Sequence, residues 1–259
     1  MAQNMNDLGM MGGSGVVLTP TTGITPESHF RVDMTRMNLL RSGSGALNSF
    51  AITGGLSENM EFTAKFQSSQ DGGLLAPSFT GFGGKIVLPI DLPLLTSSAI
   101  WGEAASTTNP NSSVVIPSSV NRFAFILQPE ALQRLHSNIF LGVTTANSAQ
   151  RFAGGCNAAV IVSKFLKIGG EFGYNYYGRD DRQESMLFLF RALPIVCVQM
   201  SPGYLQSSAV STWTFSLGVS VSTSNIEFAS SEARKTEKTV VPSFDDLEKQ
   251  IHDEKKDKQ

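Results

Sequence analysis

The chain has 259 residues, of which 41% are hydrophobic and only 16% are charged, and its formal net charge is −2. This charged fraction is below the roughly 25% of typical soluble domains, and the weak net charge excludes a surface that attracts nucleic acid. Polar residues or glycines interrupt every apolar stretch, so no segment reaches the roughly 18 apolar residues of a membrane-spanning helix.

Residues 1–28 form an N-terminal segment ahead of the first predicted strand. Met1–Asn4 shows no basic stretch followed by an apolar core, which is the pattern of a secretory signal. We therefore expect the chain to be a mature form without its signal peptide. Gly12–Gly15 lacks the lysine and the strand–helix context of a phosphate-binding loop, and no cofactor is predicted.

Apolar and polar residues alternate along most of residues 29–221. In Thr212–Val221, for example, Trp213, Phe215 and Leu217 share one row, and their neighbours are Thr, Ser or Gly. Because successive strand residues point to opposite faces, this pattern predicts strands with one apolar and one polar face. The predicted strands lie at residues 29–38, 47–54, 59–68, 80–88, 96–105, 120–128, 137–146, 156–164, 167–177, 184–192, 195–202 and 211–221.

Two architectures combine such strands with few charges and no spanning helix. One is a closed transmembrane barrel, which satisfies every backbone hydrogen bond, and the other is a soluble β-sandwich. Longer and shorter connections alternate as in bacterial barrels, with a longer seventh connection at Ala146–Gly155. The sequence therefore predicts an all-β, antiparallel, up-and-down transmembrane β-barrel of about twelve strands at residues 29–221, with the sandwich as the alternative.

The alternation also assigns side chains to the two faces of the barrel. The residues predicted to contact outer-membrane lipid are Phe62, Phe66, Phe123, Phe125, Phe172, Trp213, Phe215 and Leu217. Charged residues on the other face are predicted to line the lumen, namely Arg31, Asp33, Glu61, Lys65, Lys85, Glu103, Arg122, Lys167 and Glu171. Charges of mixed sign either pair across a narrow lumen or line a small wet pore, and pairing is favoured because burial demands partners.

No catalytic or metal site is predicted. His29, His136 and His252 are far apart and have no metal-ligand spacing. His136 and Ser137 are adjacent, so on a strand they would point to opposite faces, unlike the catalytic pair of twelve-stranded outer-membrane lipases. We therefore expect the protein not to be an enzyme.

The two cysteines are predicted to remain apart. In the predicted strand order Cys156 starts a strand at the outer end of the barrel, whereas Cys197 starts one at the inner end. A membrane thickness would separate them, so no disulfide is expected.

Residues 222–259 form a charged C-terminal tail. Eight acidic and seven basic residues lie between Ala229 and Gln259. An even strand count places this tail on the N-terminal, periplasmic side, with a short helix predicted at 243–257. Its apolar stripe of Phe244, Leu247 and Ile251 is a candidate contact for a periplasmic protein or cell-wall partner, and a solvated extension is the other interpretation.

Two passages carry a family resemblance. The run Gly15–Phe30, with Thr19-Pro20 near its start, resembles the N-terminal part of outer-membrane barrels associated with exopolysaccharide export. The hairpin Phe50–Phe66, with its turn at Gly55–Asn59, is similar to inner turns of outer-membrane transporters. The resemblance covers residues 15–221 and implies a bacterial outer-membrane location.

Two functions follow from this interpretation. The first is a channel or transporter-like barrel for small solutes or envelope polymers. The second is a closed structural barrel that binds envelope partners through its loops or its C-terminal tail.

Overall fold

The structure is a computed structural model that describes residues 20–40, 45–70, 78–90, 93–107, 119–130, 135, 137–146, 149–163, 165–175, 181–193, 195–206 and 211–223. The strands are β1 Phe30–Leu39, β2 Ala46–Ser57, β3 Met60–Ser69, β4 Phe79–Leu88, β5 Leu95–Thr107, β6 Ser119–Pro129, β7 Asn138–Ala146, β8 Ala149–Ser163, β9 Leu166–Tyr174, β10 Arg182–Leu193, β11 Val196–Gln206 and β12 Ser211–Ser222. None of the described residues belongs to a helix that is long and apolar enough to cross a membrane.

The twelve strands form one closed antiparallel barrel. Each strand pairs with the next one in the chain, and β1 closes the sheet by pairing with β12. The closing register runs from Arg31 opposite Ser222 to Leu39 opposite Thr214. The predicted up-and-down barrel is therefore confirmed, and the alternative of two stacked sheets is wrong. Closure leaves no sheet edge with unpaired backbone groups.

The start of β1 and the end of β12 lie at the same end of the barrel, which we call the N-terminal rim. The β2–β3, β4–β5, β6–β7, β8–β9 and β10–β11 connections also lie there. Four irregularities of strand pairing fall at this rim, between Gly55/Ser57, Leu95/Ser97, Ile161/Ser163 and Arg191/Leu193. Such bulges are common at barrel rims, where they bend a strand as its pairing ends. The opposite end is the loop rim.

Strand β8 is longer than predicted. It starts at Ala149, which pairs with Ala146 of β7, so the prediction of a long seventh connection is wrong. The glycines near residue 155 are typical of a loop, but here they lie within the strand. A Cβ at Gly155 would lie 2.4 Å from a ring atom of Phe140, so glycine is needed for the ring to pack against the strand.

Both cysteines are free, as predicted, but for a different reason. Because β8 starts early, Cys156 lies in the middle of its strand, where it is exposed. Cys197 lies near the start of β11 and is buried in the interior. The barrel wall, rather than a membrane thickness, keeps the two sulfur atoms apart.

Candidate functional site

The candidate site is the barrel interior, where the strands place their charged row. The nine charged residues predicted to line the lumen are all buried, and none is more than 7% exposed. They are Arg31 and Asp33 of β1, Glu61 and Lys65 of β3, Lys85 of β4, Glu103 of β5, Arg122 of β6, and Lys167 and Glu171 of β9. Buried charges need partners to offset the loss of water, so their contacts define the site.

Glu103 binds two cations at once. Its Oε1 accepts hydrogen bonds from Lys65 Nζ at 2.7 Å and from Arg122 Nη1 at 3.0 Å. The ring of Phe79 lies beside both, with its centroid 4.6 Å from Lys65 Nζ and 5.6 Å from Arg122 Cζ. The ring face adds a cation–π attraction to the two ion pairs. We call Lys65, Glu103, Arg122 and Phe79 the Glu103 cluster.

Two glycines let Lys65 reach Glu103 across the strand that separates them. Lys65 lies opposite Gly81 of β4, and Glu103 lies opposite Gly83 of the same strand. A Cβ at Gly81 would lie 2.8 Å from the Cβ of Ala105, so a side chain there would displace the neighbouring strand. Strand β4 therefore has no side chain on its inner face at these two positions, and the side chain of Lys65 crosses over its backbone.

Four of the other charges also pair inside the barrel. Lys85 and Glu61 lie opposite each other on β4 and β3, with Nζ 3.0 Å from Oε1. Arg31 Nε donates to Asp33 Oδ2 at 2.9 Å along β1. These contacts support the interpretation in which charges of mixed sign pair within a narrow lumen.

Residues 20–28 of the N-terminal segment turn back into the barrel at the N-terminal rim. Thr21, Thr22 and Thr25 are buried, and Thr25 is 0% exposed. Side chains of β3 to β8 hold this segment. The contacts are Thr25 N–H to Glu61 Oε2 at 2.7 Å, Thr22 N–H to Asn138 Oδ1 at 3.1 Å, Lys85 Nζ to Thr21 O at 2.9 Å, Asn157 Nδ2 to Pro20 O at 3.4 Å, Thr22 Oγ1 to Gln128 Oε1 at 3.0 Å and Ser97 Oγ to Thr22 Oγ1 at 2.7 Å.

The segment enters the interior directly over Gly55. A Cβ at Gly55 would lie 1.9 Å from the backbone oxygen of Pro26, so only glycine leaves room for the chain. Ser28, with φ of 60°, reverses the chain direction, and its N–H donates to Gly55 O at 3.2 Å. Glycine tolerates such close approach because it has no side chain.

An apolar cluster connects different sides of the interior. It contains side chains of β1, β2, β4 to β7, β10 and β11, so it includes strands that are not neighbours in the sheet. The cluster consists of Met37, Leu47, Phe79, Ala99, Trp101, Ala105, Ala124, Ile126, Phe140, Leu187, Leu189 and Cys197. Buried apolar side chains therefore share the interior with the charged residues. These residues were not among those predicted to line the interior, although apolar residues occupy both faces of residues 186–193 in the sequence.

The eight residues predicted to contact lipid all lie on the outer surface of the barrel. Six of them are between 42% and 65% exposed, namely Phe62, Phe66, Phe123, Phe125, Trp213 and Leu217. Phe172 and Phe215 are half-buried among outward neighbours. The outer surface is thus a band of large apolar side chains.

Two further sequence predictions concern metals and the tail. Among the residues that the structure describes, no cluster of His, Cys, Asp or Glu has the geometry to hold a metal ion. The tail predicted at 222–259 extends past Thr223, so its helix at 243–257 and the stripe of Phe244, Leu247 and Ile251 lie outside the described residues.

Comparison with solved structures finds the same fold in bacterial porins. The KdgM porin is 12% identical, with a TM-score of 0.52 over 74% of this chain and 98% of that chain. The NanC porin is 9% identical, with the same TM-score and coverage. A structure of the KdgM porin in complex with disordered oligogalacturonate matches equally well. No protein-family model and no curated protein sequence matches. At these identities the comparison shows the fold, which is that of a porin barrel.

Proposed function

We propose that the protein spans the bacterial outer membrane and conducts small polar solutes through its interior. The observation that carries this proposal is a closed sheet with large apolar residues outside and nine buried charges inside. A closed sheet is stable in the hydrocarbon of a membrane because each strand pairs with two neighbours, so its backbone N–H and C=O groups are hydrogen-bonded. The porin fold supports the same assignment.

The buried charges favour a conducting role over simple packing. Replacing a buried ion pair with apolar side chains of similar volume is often neutral or stabilising, so an interior that only had to be filled has no need of nine charges. Charged side chains that line a pore select the solutes that pass. Because five of the nine are basic and four are acidic, we expect little preference between small anions and small cations.

The packed interior favours solutes of small cross-section. The resemblance of the run Gly15–Phe30 to barrels of exopolysaccharide export supports envelope polymers as a second class of solute. The ion pairs and the apolar cluster leave less room for a polymer than for a small molecule. We therefore propose small solutes, and sugar oligomers are suitable test solutes because the KdgM porin was solved with oligogalacturonate.

A closed structural barrel is the second candidate function. It is favoured by the apolar cluster, whose buried side chains fill part of the interior. In this role the loops or the C-terminal tail would bind envelope partners.

Single-channel recording in planar bilayers distinguishes the two candidates. We expect the refolded chain to give discrete openings, and addition of sugar oligomers to lower the open-channel current if they enter the lumen. A correctly folded barrel, verified by its faster migration in unboiled electrophoresis samples, that never opens would overturn the channel and leave the structural barrel.

A charge placed on the outer face tests the membrane assignment. Phe125 is exposed on β6 between Ile100 and Leu141 of the adjacent strands. We expect Phe125→Arg to lower the free energy of unfolding in lipid vesicles by about 2–4 kcal/mol, because the charge enters hydrocarbon. The matched control is Asn121→Arg, on the same face of β6 nearer the loop rim, with an expected loss of about 0–1 kcal/mol. Equal losses in urea titrations of the two variants would contradict a membrane-embedded outer face.

The tail is proposed to bind a periplasmic protein or cell-wall partner, and the barrel is expected to fold without it. All strand pairs that close the barrel end at Ser222, and Thr223 Oγ1 accepts from Phe30 N at 2.9 Å. Deletion of residues 229–259 removes none of these contacts. We therefore expect an unchanged urea midpoint and unchanged heat-modifiable migration, together with loss of retention on cell-wall preparations. A truncated chain that fails to fold would contradict the boundary at residue 222.

A further inference from the structure

We propose that residues 20–28 form a displaceable plug that closes the barrel at its N-terminal rim. The proposal rests on the proposed function where it concerns conductance, but the position of the plug is tested independently below. Three observations support it: the burial of the segment's threonines, the side-chain hydrogen bonds that hold the segment, and the close contact of the Pro26 backbone with Gly55.

Residues 20–25 lie in the interior, whereas Pro26, Glu27 and Ser28 are exposed at the rim. Thr21, Thr22 and Thr25 are as buried as the charged residues of the strands around them. The side chains that contact the segment belong to six consecutive strands, β3 to β8. A segment held from half of the barrel wall obstructs the passage along the axis.

Side chains, rather than a strand ladder, hold most of the segment. Among the described residues, one isolated bridge joins it to a strand, between Glu27 and Gly55, and beside it Ser28 N–H donates to Gly55 O. Further hydrogen bonds join its backbone groups and the Thr22 hydroxyl to side chains of the wall. A single hydrogen bond of this kind contributes only about 0.5–3 kcal/mol, and the segment leaves without breaking any strand pair of the barrel.

The wall side chains remain paired with each other when the segment leaves. Glu61 and Lys85 form their own ion pair, and Asn138 Nδ2 donates to Asn157 Oδ1 at 3.1 Å. Release of the segment therefore does not leave an isolated charge in the interior. The wall is compatible with two states, one with the segment bound and one with water or solute in its place.

The experiment measures access to the interior with a cysteine reporter in the full chain. Cys156→Ser and Cys197→Ala remove the native thiols, and Ser97→Cys places one thiol at the contact with Thr22. The reconstituted protein is treated with a membrane-impermeant, positively charged thiosulfonate reagent. In this background we expect slower modification than in the displacement variants, because the contact with Thr22 leaves residue 97 only partly exposed.

Two variants displace the plug by different means. Gly55→Val places side-chain atoms where the Pro26 oxygen lies. The double variant Thr22→Pro and Thr25→Pro removes the two N–H donors to Asn138 and Glu61 without changing the barrel wall. Each is expected to accelerate modification at least about tenfold, since a hydrogen bond to a charged group is worth a factor of that size. The proline variant keeps the test decisive if Gly55→Val does not fold.

Two control variants change other glycines without displacing the segment. In Gly102→Val the new Cβ lies 3.9 Å from its nearest neighbour, Arg122 O. In Gly23→Ala the new methyl group makes an ordinary contact of 3.6 Å with Thr21 Oγ1. Both controls are expected to be modified at the rate of the parent.

The outcomes separate the plug from the channel. Faster modification together with larger or more frequent openings in bilayers supports both. Faster modification without any opening supports the plug and overturns the channel. Equal modification rates in the parent and in correctly folded displacement variants overturn the plug, and conductance of those proteins then decides the channel by itself.

Discussion

Replacing Glu103 by glutamine is expected to lower the free energy of unfolding by about 3–5 kcal/mol, because it leaves two buried cations without their shared counter-charge. Glu103 accepts from Lys65 and Arg122, and the carboxylate side chain is only 4% exposed. The glutamine keeps the size and one acceptor oxygen, so the loss reports the charge rather than a cavity. Urea unfolding in lipid vesicles, followed by the heat-modifiable band shift, measures it.

The matched control for this prediction is Glu184→Gln. Glu184 also pairs with an arginine, Arg182, but on the outer surface, where its side chain is 51% exposed. Exposed ion pairs contribute only about 0–1 kcal/mol, so the urea midpoint should scarcely move. Equal effects of the two variants would show that the interior of the barrel is as wet as its surface.

A triple variant tests whether the cluster acts as a unit. Lys65→Met, Glu103→Leu and Arg122→Met together remove all three charges and retain most of the volume. We expect this protein to be more stable than Glu103→Gln alone, since apolar replacement of a whole buried ion pair or triad is often neutral or stabilising. We also expect altered conductance, because the charged lining is lost while the fold remains. A triple variant less stable than the single one would contradict this interpretation.

Truncation of Trp101 to alanine is expected to cost about 3–5 kcal/mol of stability, the range for large aromatic residues in a packed core. Trp101 lies in β5, is 6% exposed and belongs to the apolar cluster of the interior. Its inner position differs from that of an interfacial tryptophan, so its removal leaves a cavity inside the lumen. The measurement is the urea midpoint, with single-channel current as a second readout of a wider interior.

The chain contains a second tryptophan that serves as the control. Trp213 is 65% exposed on the outer surface, and its ring packs edge-on against Tyr204 with centroids 5.3 Å apart. An aromatic pair of this kind contributes about 0.5–1.5 kcal/mol beyond burial, so Trp213→Ala should be the milder change. A larger effect of Trp213→Ala would indicate that the outer face contributes more to stability than the interior does.

Tryptophan fluorescence checks the two positions directly. In Trp101→Ala the remaining emission comes from Trp213, which we expect to be quenched by brominated lipid. In Trp213→Ala the remaining emission comes from Trp101, which we expect to be protected from the same lipid. The reverse pattern would contradict the assignment of the faces.

The sequence by itself determined the architecture and the faces of most strands. Period-two alternation is a local property, because neighbouring strand side chains point in opposite directions whatever the partner strand. Phe62, Phe123 and Trp213 could therefore be placed on the outside, and Glu61 and Arg122 inside, before any pairing was known. The number of strands also followed from counting alternating segments.

Only the tertiary structure decided which side chains meet. The pairing of Lys65 with Glu103 depends on the strand register and on the two glycines of β4 that lie between them. The alternation of apolar and polar residues predicts neither feature. The same holds for Trp101 and Leu187, which lie far apart in sequence and belong to one cluster of buried side chains.

Two glycines were interpreted incompletely from the sequence, at residue 155 and at residue 55, for the same physical reason. A glycine near residue 155 is typical of a loop, yet here it makes room for Phe140. Gly55 lies in a predicted turn, yet its missing side chain admits residues 20–28 into the interior. A glycine is used where another part of the protein packs closely against the backbone as well as where the chain must turn. Only the fold shows which part of the protein packs there. Local periodicity therefore determined the barrel, and long-range contact determined what fills and closes it.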